Sequence, residues 1–134
     1  MRAMAITLSP SAHAAILAAA AAAAPDEACG LLLGRGEHIA VAPAVANVAA
    51  TPRTCFELDP LALIAAHKAA RAGGPALLGY WHSHPAGPAV PSPTDQAAAS
   101  GDGRVWGIAA VGAISLWVDL PGGFAPLSYA VADG

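Results

Sequence analysis

The sequence has little positive charge, few aromatic side chains and only two cysteines. Its 134 residues carry six Lys plus Arg against nine Asp plus Glu, a formal net charge of −3. Binding of nucleic acid or of an anionic membrane needs clustered basic side chains, and here they are scattered singly. We therefore expect no nucleic-acid partner and no membrane partner. Cys29 and Cys55 fit no metal-finger or redox spacing, so we expect small buried thiols rather than a disulfide.

Long hydrophobic runs are also lacking, apart from one tract of alanine. Hydrophobic residues make up 56% of the chain, but about half of them are alanine. Residues 14–24 imitate the apolar core of a signal peptide, yet the tract is shorter than the roughly 20 residues that span a bilayer. Ser9 is a good N-cap, Pro10 suits the first helical position and Pro25 would stop the run. We therefore predict a helix over 10–24 and a cytoplasmic protein, with an export signal as the less favoured alternative.

A chain of this length can bury one hydrophobic core, and we expect a single domain over residues 1–134. Helical and strand patterns alternate in the first half, whereas strands follow one another in the second. A second helix begins at Pro60, with Leu61, Ile64 and Ala65 on one face. The predicted fold class is α/β, a mixed β-sheet flanked by helices. Its predicted strands are residues 4–8, 29–33, 38–42, 56–58, 77–84, 105–111, 114–119 and 124–131.

Two histidines stand one residue apart at the end of a predicted strand. Side chains two apart on a strand project to the same face, so His82 and His84 can direct their imidazoles at one point while Ser83 faces away. Converging imidazoles are typical of a metal site. We interpret the histidines without such a partner as structural, namely His13, His38 and His67.

A carboxylate follows at a distance that completes such a site. Ser92 and Pro93 are typical of the N-cap and first position of a helix, which places Asp95 in its first turn. Two imidazoles and one carboxylate leave a fourth position open, as in catalytic rather than structural zinc sites. The sequence therefore predicts one Zn²⁺ per chain, held by His82, His84 and Asp95.

Hydrolysis at such a site also needs a side chain that moves protons. Zinc lowers the pKa of bound water to about 7, but a protein group must still take the proton and pass it to the leaving amine. The residues themselves leave two candidates nearly even. These are Glu27, just before the predicted strand at 29–33, and Glu57, at the start of the second helix.

The spacing of these residues resembles the motif of the JAMM (MPN-plus) metalloprotease family. That motif is His-x-His, seven residues, Ser, two residues and Asp, and the chain matches it without a gap at His82, His84, Ser92 and Asp95. Residues 27–34 are similar to the family's glutamate-bearing segment, so the resemblance favours Glu27 over Glu57. The likeness runs from about residue 5 to residue 131 and includes Asn47.

The resemblance implies a zinc metallopeptidase or isopeptidase, often acting after the C-terminal glycine of a ubiquitin-like protein. It implies that Glu27 is general base and then acid, assisting attack by zinc-bound water, and that Ser92 helps to stabilise the oxyanion. The chain lacks the length for the insertions of the deubiquitinating branch. It looks closer to compact bacterial members, some of which act on sulfur-carrier proteins of ubiquitin-like fold. The implied JAMM/MPN architecture is layered, like that of cytidine deaminases.

Two other hypotheses come from different classes. Relatives with a decayed metal site serve as non-catalytic MPN-type protein-binding scaffolds, but this chain lacks none of the ligands. A zinc deaminase shares the layered architecture but requires a Pro-Cys-x-x-Cys pair, and neither cysteine has a second one at that spacing. No feature of the sequence distinguishes a peptide from an isopeptide bond or sets an oligomeric state.

Overall fold

The computed structural model describes residues 5–133, in which nine strands form one mixed sheet alongside three helices. The helices are α1 (Pro10–Ala23), α2 (Pro60–Arg71) and α3 (Pro93–Ala98). The strands are β1 (Ile6–Leu8), β2 (Cys29–Arg35), β3 (His38–Val41), β4 (Ala44–Val45), β5 (Ala76–Ser83), β6 (Val105–Ala110), β7 (Ala113–Leu120), β8 (Gly123–Leu127) and β9 (Tyr129–Val131). The predicted fold class, a mixed sheet flanked by helices, is confirmed.

The order of strands across the sheet is β8-β7-β6-β5-β2-β3-β1-β9, and β4 pairs with β2. β1 is parallel to both β3 and β9, and β5 is parallel to β6. β5 therefore lies between β2 and β6, and its antiparallel register with β2 sets Cys29 opposite His82. This pairing brings the chain just before β2, which carries Glu27, next to the end of β5.

Helix α1 begins and ends where the sequence predicts. The Ser9 hydroxyl oxygen accepts a hydrogen bond from the Ala12 N–H (3.0 Å), as an N-cap does. Alanine is the strongest helix former, and α1 continues to Ala23, two residues before Pro25. Ala12 and Ile16 are its buried residues, and α1 packs on one face of the sheet with partly buried Leu17 and alanines beside them.

The core under α1 is built around Trp81 on the central strand β5. Gly30 on β2 lies opposite Trp81, and a Cβ at this glycine would overlap the indole and the Pro43 carbonyl oxygen. The absence of a side chain at Gly30 therefore leaves room for the Trp81 ring. The other large side chains that are fully buried in this cluster are Leu8, Ile16, Leu32, Ile39 and Leu116.

Several element predictions need correction. The segment predicted as one strand over 124–131 is two strands, because β8 stays paired with β7 whereas β9 leaves it and pairs with β1. Residues 56–58 form only an isolated bridge between Leu58 and Asn47. The short strand β4 was not predicted. The strand predicted over 4–8 begins at Ile6, and Met4 lies outside the described residues.

Two further observations concern exposure. On α2, Leu61 and Ile64 are exposed, and the buried residue is Ala66. Both cysteines are free, as expected, but only Cys29 is buried, whereas Cys55 is partly exposed. Within residues 5–133, no helix is long and apolar enough to cross a membrane.

Candidate active site

Strand β5, which ends at Ser83, and the residue that follows it carry the two histidines. Trp81 belongs to the core under α1, and Ser83 lines a small cavity together with alanines of α1. His82 and His84 project the other way, as the alternation of a strand predicts. The His84 N–H donates to the Ala109 carbonyl oxygen (2.8 Å), which extends the pairing with β6 beyond the end of β5.

Helix α3 fixes the carboxylate of Asp95 by a reciprocal cap. The Asp95 N–H donates to the Ser92 hydroxyl oxygen (3.0 Å), and Asp95 Oδ2 accepts a hydrogen bond from the Ser92 N–H (2.9 Å). This capping box holds the side chain in one orientation. Asp95 is buried, and the same Oδ2 atom faces the two histidines.

The three donor atoms form a small triangle. His82 Nε2 lies 3.1 Å from His84 Nε2 and 3.0 Å from Asp95 Oδ2, and His84 Nε2 lies 3.1 Å from Asp95 Oδ2. Ligands at about 2.0–2.1 Å on neighbouring positions of a tetrahedral ion lie about 3.3 Å apart, so these atoms fit around one small cation. This buried group could hold a metal, and its nitrogen and oxygen donors suit zinc.

Contacts behind the histidines support this orientation. His84 Nδ1 donates to the Pro88 carbonyl oxygen (2.8 Å), which leaves Nε2 as the nitrogen directed at the cluster. His82 Nδ1 is buried with no hydrogen-bond partner among the described residues. Its ring instead stacks on Phe56, with the centroids 4.3 Å apart and the planes at 15°. Phe56 thus covers the imidazole, and the sequence predicted it only as part of a strand.

The protonation of the cluster follows from burial and hydrogen bonding. Burial lowers the pKa of His82, which favours the neutral imidazole that a metal needs. Burial alone would raise the pKa of Asp95, but hydrogen bonds from His82 and His84 outweigh it and hold that pKa well below its usual range. The pKa of His84 is raised, first by its hydrogen bond with Asp95, so a proton and a metal compete for this site.

Glu27 lies beside this cluster, with its backbone bonded on both sides. Its N–H donates to the Pro52 carbonyl oxygen (2.7 Å), and its carbonyl oxygen accepts from Asn47 Nδ2 (2.9 Å). The side chain is 7% exposed, and Oε1 has no hydrogen-bond partner among the described residues. Burial raises the pKa of Glu27 to about 7, the nearby His84 lowers it, and Asp95 raises it. A carboxyl group in this state can take up and release protons near neutral pH.

One cavity of about 410 Å³ joins Glu27, His84 and Ser92. Glu57, the other candidate from the residues alone, is exposed and is not among the residues that line it. The Ser92 hydroxyl accepts the Asp95 N–H, and its own hydrogen remains available for donation because a hydroxyl both donates and accepts. The structure thus brings every predicted site residue to one place.

Asn47 connects the segments around Glu27. Its amide Nδ2 donates to the carbonyl oxygens of Glu27 (2.9 Å) and Cys55 (3.1 Å). Its Oδ1 accepts from the N–H groups of Ala49 and Glu57, each at 3.1 Å. All four hydrogen-bonding positions of the amide are therefore used, and the loop after β4 is fastened to Glu27. Sequence analysis included Asn47 only in the family resemblance and predicted no role for it.

Comparison with known proteins places the chain among close relatives. A family model described as prokaryotic homologs of the JAB domain matches residues 9–119. Desampylase from Haloferax volcanii is 42% identical over 84 residues, which covers 61% of this chain and 60% of that protein. A probable TtuB-protein conjugate cleaving protease from Thermus thermophilus is 50% identical over 72 residues, 54% of this chain and 48% of that protein.

The matches to these two curated relatives thus span only about half of their lengths. Likeness to a solved structure is more extensive. Protein DSY2949 from Desulfitobacterium hafniense superposes with a TM-score of 0.85 at 30% identity, over 96% of this chain and 94% of that chain.

Proposed function

The chain belongs to the prokaryotic homologs of the JAB domain, and from this premise we propose that it is a zinc-dependent peptidase or isopeptidase. Its proposed substrate is a ubiquitin-like or sulfur-carrier protein, cut after the C-terminal glycine. The observation that carries the proposal is the convergence of three buried donor atoms beside the unpaired carboxyl group of Glu27. The names of the relatives, desampylase and conjugate cleaving protease, support a protein conjugate as substrate.

We assign one zinc ion to His82, His84 and Asp95. A zinc ion held there would supply a Lewis acid that polarises the scissile carbonyl group and lowers the pKa of water. The capping box of Asp95 and the Nδ1–H hydrogen bond of His84 hold their donor atoms in place before the ion arrives.

Glu27 moves the proton. Its carboxylate takes a proton from the attacking water as the water oxygen bonds to the carbonyl carbon. The protonated Glu27 then gives this proton to the leaving nitrogen as the C–N bond breaks. The products are a free amine and a carboxylic acid, which ionises in water, and Glu27 is again a carboxylate. A pKa of about 7 suits both halves of this task.

Ser92 acts on the other reacting atom. The capping box holds the Ser92 side chain at the start of α3, and Ser92 lines the same cavity as Glu27. A donor in such a position stabilises the negative charge that grows on the carbonyl oxygen. The structural role of Ser92 as N-cap is compatible with this catalytic role.

The test combines metal analysis with cleavage. The purified protein is mixed with several ubiquitin-like carrier proteins, each extended by one residue beyond Gly-Gly, and intact masses are followed with and without chelator. We expect about one zinc per chain, and cleavage after glycine that stops with chelator and returns with zinc. His82→Ala should lose both zinc and activity. A zinc-free, chelator-insensitive protein that only binds a carrier would instead be a non-catalytic scaffold.

A further inference from the structure

The cavity beside Glu27 contains one strongly basic side chain. Of the described residues that line it, Arg53 is the sole Lys or Arg, in a chain with only six such residues. Arg53 is exposed, and within residues 5–133 no ion pair or hydrogen bond involves its side chain. Its guanidinium group is therefore available to a ligand that enters the cavity.

Arg53 is held on a bonded turn rather than on a loose loop. The N–H groups of the two residues after it both donate to the Thr51 carbonyl oxygen, at 3.1 Å each. The carbonyl oxygen of Pro52, the residue before it, accepts the N–H of Glu27 (2.7 Å). Asn47 adds the bridge from the end of this turn to the Glu27 carbonyl oxygen. Arg53 is thus fixed on the Glu27 side of the cavity.

This side of the cavity is where the leaving group must be. Glu27 gives its proton to the leaving nitrogen, so that nitrogen lies next to Glu27 and the turn bonded to it. Ser92, the proposed oxyanion donor, lies on another segment that lines the cavity. If the leaving group is a single amino acid, its α-carboxylate lies only about 2.5 Å beyond that nitrogen, because two covalent bonds separate them. An arginine fork matches a carboxylate with two parallel hydrogen bonds.

We propose that Arg53 binds the α-carboxylate of the departing residue. The preferred substrate is then a carrier extended by one C-terminal amino acid, cut at a peptide bond. A lysine side chain joined to the carrier by an isopeptide bond offers no free carboxylate at that position. This inference rests on the proposed function, because Glu27 defines the leaving-group side.

The experiment compares two forms of one substrate. A ubiquitin-like carrier ending in Gly-Gly-Ala is prepared with a free C-terminal carboxylate and as the C-terminal amide. We expect the zinc-loaded wild type to cut the acid at least about tenfold more efficiently than the amide, chiefly through a lower KM. The preference is modest because the ion pair between Arg53 and the substrate carboxylate is exposed. Arg53→Gln should lose this preference by slowing cleavage of the acid alone, and Arg53→Lys should retain part of it. Arg71→Gln, an exposed arginine on α2, is the charge-matched control and should behave like wild type.

Binding gives a second measurement that does not depend on turnover. In a Glu27→Gln background, the acid form should bind at least about tenfold more tightly than the amide, and Arg53→Gln should abolish the difference. Equal cleavage of acid and amide by wild type would overturn the inference. So would an equal loss for both forms in Arg53→Gln, since the arginine would then contact a carboxylate elsewhere on the carrier or support the fold. Cleavage of neither form would count against the proposed function, and the binding measurement would still decide the role of Arg53.

Discussion

Asp119 and Glu27 are both buried carboxylates, yet their surroundings differ. Asp119 is 1% exposed, and its two oxygens accept the N–H groups of Ser100 and Gly101, each at 3.0 Å. Glu27 is 7% exposed, but its Oε1 has no partner among the described residues. A buried carboxyl group without hydrogen-bond donors resists ionisation, and burial raises the pKa of Glu27 to about 7, whereas both oxygens of Asp119 have N–H donors. A carboxylate whose oxygens all have hydrogen-bond donors is typical of a structural role. A carboxylate that lacks such donors beside a group of metal-binding side chains is typical of a catalytic role.

The difference between the two regions is confined to the side chains. At Asp119, backbone hydrogen bonds with Gly103 (2.8 Å) and Arg104 (2.9 Å) bind the loop after α3 to β7. At Glu27, the backbone N–H donates to the Pro52 carbonyl oxygen and the backbone carbonyl oxygen accepts from the Asn47 side-chain amide. In both regions hydrogen bonds hold the main chain, and of the two carboxyl groups it is that of Glu27 that has an oxygen without a partner among the described residues.

The largest expected effect is the loss of activity in Glu27→Gln. The amide has nearly the same shape but cannot carry the proton, so kcat/KM should fall by about 100-fold or more. Zinc content should stay within error of wild type, because the three metal ligands remain. Turnover within a few-fold of wild type would contradict the catalytic role of Glu27. It would also contradict the functional distinction between Glu27 and Asp119.

Asp119→Ala should show the opposite pattern. It leaves the part-buried N–H groups of Ser100 and Gly101 without acceptors, so the free energy of unfolding in urea should fall by about 1–3 kcal/mol. The zinc-loaded protein that remains folded should keep its kcat/KM within about threefold, as the loop lies outside the residues that line the cavity. Asp133→Ala, at an exposed carboxylate, is the control and should change neither quantity. A stable but inactive Asp119→Ala would show that the two carboxylates do not divide the tasks as proposed.

The acidic side of the pH profile should follow Glu27. Its carboxylate form acts as the base, so kcat/KM should fall by up to about tenfold per pH unit below its pKa. That pKa is about 7 without metal, and the positive charge of a bound zinc ion will lower it. In metal-free protein the raised pKa stabilises the fold at low pH, and this contribution disappears as the pH rises through about 7. In chelator, the free energy of unfolding of wild type should therefore fall relative to that of Glu27→Gln as the pH is raised from 5 to 8.

The smallest expected effect concerns Ser83. Its hydroxyl oxygen accepts the Ala28 N–H (2.8 Å), next to Glu27, while its own N–H donates to the Ala28 carbonyl oxygen (3.0 Å). Ser83→Ala leaves one buried N–H unpaired but keeps the second bond, so we expect a loss of about 1 kcal/mol in urea unfolding. Activity should fall only a few-fold. A 100-fold loss of kcat with unchanged stability would instead make Ser83 a positioning residue for Glu27.

The metal cluster could be predicted from sequence because each of its parts obeys a local rule. Strand alternation directs His82 and His84 to one face, and the Ser92 cap orients Asp95 within four residues. The family resemblance that favoured Glu27 agrees with the match over residues 9–119. The residues alone could not separate Glu27 from Glu57, because that choice depends on the register between β2 and β5.

The missed features all depend on contacts between distant segments. Phe56 reaches His82 through the fold of the loop after β4, and no periodicity in its own neighbourhood signals this contact. The short strand β4 has only two residues, too few for a pattern of alternation. The pairing of β9 with β1 joins strands from opposite ends of the described chain, and hydrophobic patterning carries no information about which strand becomes the neighbour.

The pairing of β9 with β1 also affects folding during translation. During synthesis β1 leaves the ribosome well before β9, so one edge of β1 has no partner until nearly the whole described chain has been translated. An open strand edge is a template for association with other chains. A nascent chain can therefore complete its sheet only after Tyr129–Val131 have been translated. Until then, the open edge of β1 can associate with other nascent chains on the same polysome.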